Sequence, residues 1–407
     1  MSPPFSMHLA ARLRALLAVV SVIFLLCCAK NASAYPWMIR HEYTGCIQCH
    51  VDPDGAGLLT EYGRAQGELL LRTQYSAATP DEEPGRVKDF LFGLVKTPEW
   101  LLLGGSIRPG VQILDIGGGG PGSGWLPPSV LLMEADLRAG IKYGGWRASG
   151  SAGVISSDGS LASIVGPVVA REYWAGYSWD DDTFMVRAGR MNLPFGIRQI
   201  EHPLWVRAET RTDINDGQEH GVTFDYTGAS LRGSLMAILG NYQISPDAFR
   251  ERGYSGFIEG DINSRFVVGV SSLVTYADKD LNLGVSNIRQ AHGGFLRASP
   301  AKPLVILAEA DIITNTTSPS PAGSSFGAAT MLQADIEPIQ GLHLIATGET
   351  LAPGGSAPQP SYGAWASVHW FFAPHADVRF DFTYRSMAEG VVDIPVESYL
   401  IQFHAYL

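Results

Sequence analysis

Apolar and polar residues alternate one by one through many segments of the chain after residue 97. In residues 133–143 the odd positions are apolar, whereas the even positions include Glu134, Asp136 and Arg138. The same alternation returns in residues 377–385 and 399–407. A period of two predicts β-strands with one apolar face. Because the opposite face carries charges, the pattern favours a transmembrane barrel with a water-lined lumen.

Sixteen such segments can be counted in residues 97–407. A transmembrane strand needs roughly 9–11 residues, and the average segment with its connection has about 19, which leaves room for turns and loops. We therefore predict an all-β transmembrane barrel of about 16 antiparallel strands, with a soluble β-sandwich or propeller as the alternative. The predicted strands centre on residues 104, 136, 150, 172, 187, 223, 235, 257, 270, 294, 308, 331, 345, 367, 380 and 401.

The composition agrees with this fold class. Charged residues make up only 17% of the chain, which also contains 46 glycines, as expected of a turn-rich β-protein or a membrane protein. Aromatic residues near the predicted strand ends are expected to form the interfacial girdles of the barrel. These aromatic residues are Trp174, Tyr177, Trp179, Trp365, Trp370, Phe371, Phe372 and Tyr384.

Residues 1–34 read as a secretory signal peptide, with a basic start, an apolar run and a small-residue cleavage site. A lipid anchor on Cys27 or Cys28 is the weaker alternative, because Leu26 and Cys27 precede them where such an anchor needs a small residue. Cleavage after residue 34 leaves 26 basic and 40 acidic residues, a net charge of −14. So acidic a chain argues against nucleic acid as a partner.

The mature chain keeps two cysteines, Cys46 and Cys49, and His50 follows them directly. C-x-x-C-H is the attachment signature of a c-type haem. The two thiols form thioethers with the haem vinyl groups, and the adjacent imidazole binds the iron as an axial ligand. We therefore predict one covalently bound haem c, held by Cys46, Cys49 and His50.

Two other uses of these cysteines are weaker. A structural zinc site requires four ligands. Near the two cysteines, only His41 and His50 could complete such a set. A thioredoxin-like pair wants a βαβ context, which the surrounding sequence lacks. The sequence also contains no nucleophilic triad, phosphate-binding loop or metal-binding helix motif.

The second axial ligand of the iron stays open at this point. Residues 51–98 contain neither Met nor His. Met38 or His41 could fold back from upstream, a residue of the C-terminal part could reach in, or the position could be open or held by water; His41 is the nearest candidate. The distant candidates are Met133, Met191 and His202.

The segment after the haem motif predicts two short helices. Residues 58–74 predict a helix that begins near Thr60, and residues 87–95 predict a second one with Phe90, Leu91 and Leu94 on one side. Residues 35–96 would thus form a small monohaem cytochrome module, followed by the barrel in residues 97–407. So small a module cannot cover a haem alone, so another part of the chain is expected to shield it.

Two stretches resemble known families. Residues 187–196, Arg-Ala-Gly-Arg-Met-Asn-Leu-Pro-Phe-Gly, resemble the G-R-x-x-x-P-F-G stretch of 16-stranded porins of the phosphate-selective type. The order of an export signal, C-x-x-C-H, Leu-Thr-Glu-Tyr-Gly-Arg at residues 59–64 and a barrel-length remainder resembles the fused monohaem cytochrome c–porin family of bacterial outer membranes. The best-known members of that family oxidise ferrous iron outside the cell.

This resemblance implies electron transfer at the outer membrane. An extracellular donor, with Fe(II) as the candidate, would reduce the haem, and a periplasmic electron-carrier cytochrome would accept the electron. If the chain is an enzyme, it would be a ferrous-iron oxidase. The alternatives are a porin for small solutes with an accessory haem module, and a soluble periplasmic haem protein. Residues 198–218 read as a long loop that could fold into the lumen as a constriction.

Overall fold

The computed structural model describes residues 36–55, 57–74, 90–91, 94–117, 123–154, 168–199, 201, 203–215, 217–318, 324–352, 359–389 and 392–407. The predicted signal peptide lies outside these residues. Within them, no helix is both long enough and apolar enough to cross a membrane.

Sixteen long strands form a single antiparallel sheet. They are β1 (Leu101–Ile116), β2 (Ser129–Tyr143), β3 (Trp146–Val154), β4 (Tyr173–Trp179), β5 (Phe184–Met191), β6 (Glu219–Thr227), β7 (Leu231–Ile238), β8 (Arg252–Asn263), β9 (Phe266–Ala277), β10 (Ser286–Ala301), β11 (Leu304–Ser318), β12 (Ser324–Ile339), β13 (Leu342–Ala352), β14 (Ser361–Ala373), β15 (Ala376–Glu389) and β16 (Val392–Tyr406). Two-residue strands at Gly124–Trp125 and Val168–Val169 extend the sheet.

The sheet closes on itself. Each strand pairs with the next along the chain, and β1 pairs both with β2 (Leu103 opposite Ala139) and with β16 (Ile113 opposite Tyr399). The prediction of a barrel with sixteen antiparallel strands is therefore confirmed. Fifteen of the predicted centres fall within a strand, and residue 172 lies one position before β4.

The two faces of the wall are opposite in character, as the alternation predicts. On β2 the inward Asp136 is 4% exposed, whereas its outward neighbour Leu137 is 66% exposed. On β15 the inward Asp377, Arg379 and Asp381 are buried. A soluble sandwich would bury the apolar face, so this arrangement is that of a barrel with its apolar side turned to lipid.

The two ends of the barrel differ in their connections. At one end the turns are short, as at residues 144–145, 264–265 and 340–341, whereas the other end has longer connections, of which 192–218 is the longest. Outer-membrane barrels have short turns on the periplasmic side and longer loops on the extracellular side.

The N-terminal segment, residues 36–74, lies inside the barrel at the short-turn end. A 3₁₀-helix at Pro36–His41 places Trp37 against His343 and Phe371, and the Thr73 amide donates to the Phe371 carbonyl at 2.8 Å. An α-helix, α1, covers Glu61–Gln66 and continues as a π-helical turn at Gly67–Leu71. The helix predicted to begin near Thr60 is thus confirmed, with Thr60 as its N-cap.

Two expectations are wrong. The described part of residues 87–95 is a turn closed by a bridge between Phe90 and Val95. Leu94 is 84% exposed there, so no surface is available to stabilise so short a helix. In addition, Trp174, Trp365 and Phe371 point into the lumen and not toward an interfacial girdle, because their positions in the alternation face inward. Trp174 and Phe371 are buried in the core, and Trp365 packs against it and donates to Glu349 at 2.7 Å.

Candidate functional site

The C-x-x-C-H motif forms a compact turn within the barrel. The amides of Cys49 and His50 both donate to the Cys46 carbonyl, at 3.1 and 3.0 Å. The chain turns back through residues 52–57, and His50 then pairs with Leu59 in an isolated bridge. Gly55 has φ +87°, a conformation that side chains rarely adopt, and a Cβ there would lie 3.2 Å from the Cys46 Sγ. The sequence thus brings a thiol and the imidazole of His50 to one side of a tight hairpin.

The Leu-Thr-Glu-Tyr-Gly-Arg stretch supports this hairpin from behind. The Thr60 hydroxyl donates to the Gln48 carbonyl at 2.8 Å and also caps α1 by accepting from the Gly63 amide at 3.0 Å. A Cβ at Gly63 would lie only 2.2 Å from the Cys49 carbonyl oxygen, so only glycine allows α1 to approach so closely. The two quoted motifs are therefore parts of one structural unit.

Buried ion pairs fix the hairpin to the wall. Arg187 of β5 is fully buried and contacts Asp52 at 2.8 Å, Asp54 at 2.9 Å and Asp225 at 2.8 Å. Burial raises the pKa of Asp52 and that of Asp54 to about 7, against the attraction of Arg187. One cation thus holds two carboxylates of the hairpin and one of the wall.

The long loop between β5 and β6 folds into the lumen, as predicted. Phe195 and Arg207 are buried, and Arg207 forms an ion pair with Glu309 of β11. The Ile197 amide donates to the other Glu309 oxygen at 2.9 Å. Gly196 has φ +54°, and a Cβ there would clash with both charged groups. The Pro-Phe-Gly stretch is thus the anchor of the inward loop.

The inward loop also contacts the hairpin. Arg198 Nε donates to the Asp54 carbonyl at 2.9 Å, and its guanidinium lies over the Phe257 ring at 4.0 Å. A short helix, α2 (Trp205–Ala208), continues the loop, and the Trp205 amide donates to Glu349 at 2.9 Å. The hairpin and the loop therefore fill the lumen together.

A cavity lies between the hairpin, the inward loop and the wall. Its empty volume is about 990 Å³, counting the part open to solvent. Cys46 and His50 line it, whereas Cys49 is buried. Leu58, Leu59, Ile197, Arg108, Glu134 and His404 are also among its lining residues.

The walls of this cavity combine apolar side chains with arginines. Arg108, Arg138 and Arg198 all line it. Arg138 pairs with Glu134 at 2.5 Å, whereas Arg108 approaches Glu134 only to 3.8 Å. The buried Nε of Arg108 has no hydrogen-bond partner among the described residues. A buried donor without a hydrogen-bond partner is energetically costly. An anionic group would supply such a partner, because a guanidinium forms charge-assisted hydrogen bonds with anions.

A second, polar cavity adjoins the first. It shares Arg108, Glu134 and Arg138 and continues to Asn192 and Gln218, with about 490 Å³ of empty volume. Asn192 and Gln218 are the first and last residues of the 192–218 connection, which belongs to the long-loop end. The cavity beside the hairpin is thus continued by polar side chains toward that end.

The structure places the sequence-predicted second ligands away from the cavity. His41 lies beside Glu337, with its Nε2 3.9 Å from the carboxylate. The cavity is not lined by Met38, Met133 or Met191, and His202 lies outside the described residues. The lining histidine that sequence reasoning missed is His404. Its alternation within β16 marks it as a lumen residue, but no spacing relates it to the haem motif.

The two free thiols are not joined by a disulfide. In the described part of the chain, no group of three or more His, Cys, Asp or Glu side chains is arranged to hold a metal ion.

The solved structures to which this fold is similar are outer-membrane proteins. OmpT of Vibrio cholerae aligns with a TM-score of 0.60 at 10% identity, covering 77% of this chain and 99% of that one. An anion-selective porin from Comamonas acidovorans gives 0.57 at 9% identity and covers 75% and 99%. The outer membrane channel DcaP of Acinetobacter baumannii gives 0.52 at 12% identity and covers 75% and 97%. No family model and no curated protein matches the sequence.

These similarities define the class of the fold as a porin-like outer-membrane barrel. At such low identity they concern the fold alone, and the resemblance to cytochrome–porin fusions stays a prediction. The structural neighbours cover about three quarters of the chain.

Proposed function

We propose that this protein is an outer-membrane electron carrier that holds one haem c inside a porin-like barrel. The observation that carries the proposal is the position of the C-x-x-C-H turn. Cys46 and His50 line a cavity that the barrel wall and the inward loop border. The barrel supplies the cover that the short N-terminal segment could not supply alone.

The residues around the cavity fit the group. Cys46 and Cys49 would form the thioethers and His50 would bind the iron. Leu58, Leu59 and Ile197 offer apolar contacts for the ring. Arg108, with its unpaired Nε, suits a propionate. When bound, the haem supplies a one-electron acceptor and donor.

The difference between the two ends of the barrel suggests the side on which each electron-transfer partner would bind. The N-terminal segment lies at the short-turn end, which in outer-membrane barrels faces the periplasm, so a periplasmic cytochrome is the proposed acceptor. The polar cavity leads from Arg108 toward the long-loop end, which would face the extracellular donor. With Fe(II) as donor, the bound haem would supply the one-electron acceptor, and Fe(III) would be the product.

The test uses the full chain, produced in a host that attaches c-type haem and purified in detergent. We expect a covalently bound haem that survives denaturation, in a ratio of one per chain. The Cys46→Ser and Cys49→Ser double variant should lose it and still insert as a barrel. Stopped-flow mixing of oxidised protein with Fe(II) should then reduce the haem. A haem that stays oxidised would exclude the iron-oxidising role, and a chain without haem would overturn the proposal.

The second candidate is a porin for small solutes with an accessory haem module. The similarity to solved porins and channels favours this function over electron transfer. Conductance in planar bilayers distinguishes the two. The filled lumen predicts a closed or nearly closed channel, whereas stable large conductance by the haem-loaded chain would establish the porin function.

A further inference from the structure

The last strand of the barrel contributes a histidine to the cavity that the haem motif lines. His404 is 9% exposed and lies on the inward face of β16, whereas its neighbour Phe403 is turned outward and is 42% exposed. His404 and His50 both line the same cavity, although 354 positions separate them in the chain. Among the described residues that line this cavity, they are the two histidines, and no methionine is present.

The imidazole of His404 is hydrogen-bonded in the way that is common for histidines that bind a metal. Its Nδ1 lies 2.9 Å from a carboxylate oxygen of Asp377, which is 3% exposed and inside the barrel. A carboxylate at this nitrogen accepts a hydrogen bond from Nδ1–H, and this tautomer carries its lone pair on Nε2. Histidines that bind a metal commonly hydrogen-bond a carboxylate, a backbone carbonyl or water through the other ring nitrogen.

The groups that contact His404 Nε2 compete only weakly with a metal ion for the lone pair of this nitrogen. Its contact with Ser106 Oγ is 3.1 Å, and the hydroxyl can rotate to another acceptor. Arg108 approaches the same nitrogen at 3.5 Å. Ser106 and Arg108 also line the cavity, so the Nε2 side of the ring is the side turned to it.

Two other buried histidines, His343 and His369, are engaged elsewhere. His343 contacts Asp335 at 3.1 Å beside the 3₁₀-helix. His369 Nε2 contacts the other oxygen of Asp377 at 2.9 Å but is not among the cavity-lining residues. His369 therefore shares the carboxylate partner of His404 without sharing its position, which makes it a matched control.

We propose that His404 is the second axial ligand of the haem iron, opposite His50, with Asp377 as its positioning residue. This inference rests on the proposed haem and would make the site bis-histidine. The N-terminal segment would then be joined to the last strand through the iron. Assembly of the haem site would require a folded and closed barrel.

The test compares the purified, haem-loaded full chain with His404→Ala, His404→Met and His369→Ala. The unaltered chain should show a low-spin, six-coordinate spectrum by absorption and electron paramagnetic resonance. His404→Ala should lose the low-spin signal while keeping the haem, and added imidazole should restore it. His404→Met should stay low-spin with a higher reduction potential, since methionine ligation raises that potential.

His369→Ala should keep the spectrum of the unaltered chain. A low-spin spectrum in His404→Ala without added imidazole would overturn the assignment, as would equal loss in His369→Ala. If His404→Ala fails to insert, the His404→Met potential decides, because an unchanged potential contradicts ligation. A chain that binds no haem at all would refute the proposed function instead, so the two failures are distinguishable.

Discussion

The wall of the barrel and the segment inside it follow different rules. Wall strands turn apolar side chains outward and charges inward, residue by residue. The N-terminal segment has no such period, and it is held by particular contacts such as Asp52 and Asp54 on Arg187. The wall therefore tolerates exchange of one apolar residue for another, whereas the segment depends on a few buried charges. Four predictions test this difference, beginning with the largest effect.

Removal of residues 36–74, with the signal peptide kept, should open the lumen. A barrel of 16–18 strands leaves an aqueous channel when nothing fills it. Planar bilayers should then show stable single-channel steps that the full chain lacks. The Cys46→Ser and Cys49→Ser double variant is the control, because it keeps the segment without the haem and should stay closed. Equal conductance of the full and shortened chains would contradict the filled lumen.

Arg187→Met should release the hairpin from the wall. The change leaves three buried carboxylates without their cation, a loss of about 3–5 kcal/mol for a broken buried pair. Hydrogen exchange over residues 49–66 should accelerate accordingly. The control is Arg252→Met, which removes a solvent-exposed pair with Asp247, because exposed ion pairs contribute little to stability. Equal protection in both variants would show that the buried pairs do not hold the hairpin.

Gly63→Ala should weaken the support of the haem motif. The added Cβ would overlap the Cys49 carbonyl and push α1 away, at a cost of about 1–3 kcal/mol. We expect less covalent haem per chain in a pyridine haemochrome assay. Gly67→Ala is the matched control, because its Cβ would meet only Leu71 at 3.9 Å. A normal haem content in Gly63→Ala would mean that this close approach is not required.

The fourth prediction concerns pH. Burial raises the pKa of Asp52 and Asp54 from 3.8 to about 7, so the docked state binds protons more tightly than the undocked one. Docking is therefore most stable at low pH and weakens as the pH rises from about 4 through 7. Protease cleavage within the hairpin should increase between pH 5 and pH 8. The Asp52→Asn and Asp54→Asn double variant should flatten this dependence, and a persistent slope would assign it to other groups.

The barrel could be predicted because the alternation of apolar and polar residues is visible within the sequence of each strand. Within β2, the charged side chains of Glu134 and Asp136 mark the face that is turned to the lumen. The apolar side chain of Leu137 marks the face that is turned to lipid. The helix predicted in residues 87–95 was wrong because a short apolar pattern forms a stable helix only when it packs against another part of the protein. The local sequence does not show whether such a contact exists. The inward positions of Trp174, Trp365 and Phe371, by contrast, follow from the alternation itself and could have been predicted from it.

By itself, the sequence determined the strand count, the orientation of both faces of the wall and the position of C-x-x-C-H. These features depend on residues that are neighbours along the chain. Only the tertiary structure decided that the hairpin lies inside the barrel and that His404 lines the same cavity as His50. Closing β16 onto β1 brings residues more than 350 positions apart to one site, and no local pattern encodes such a contact.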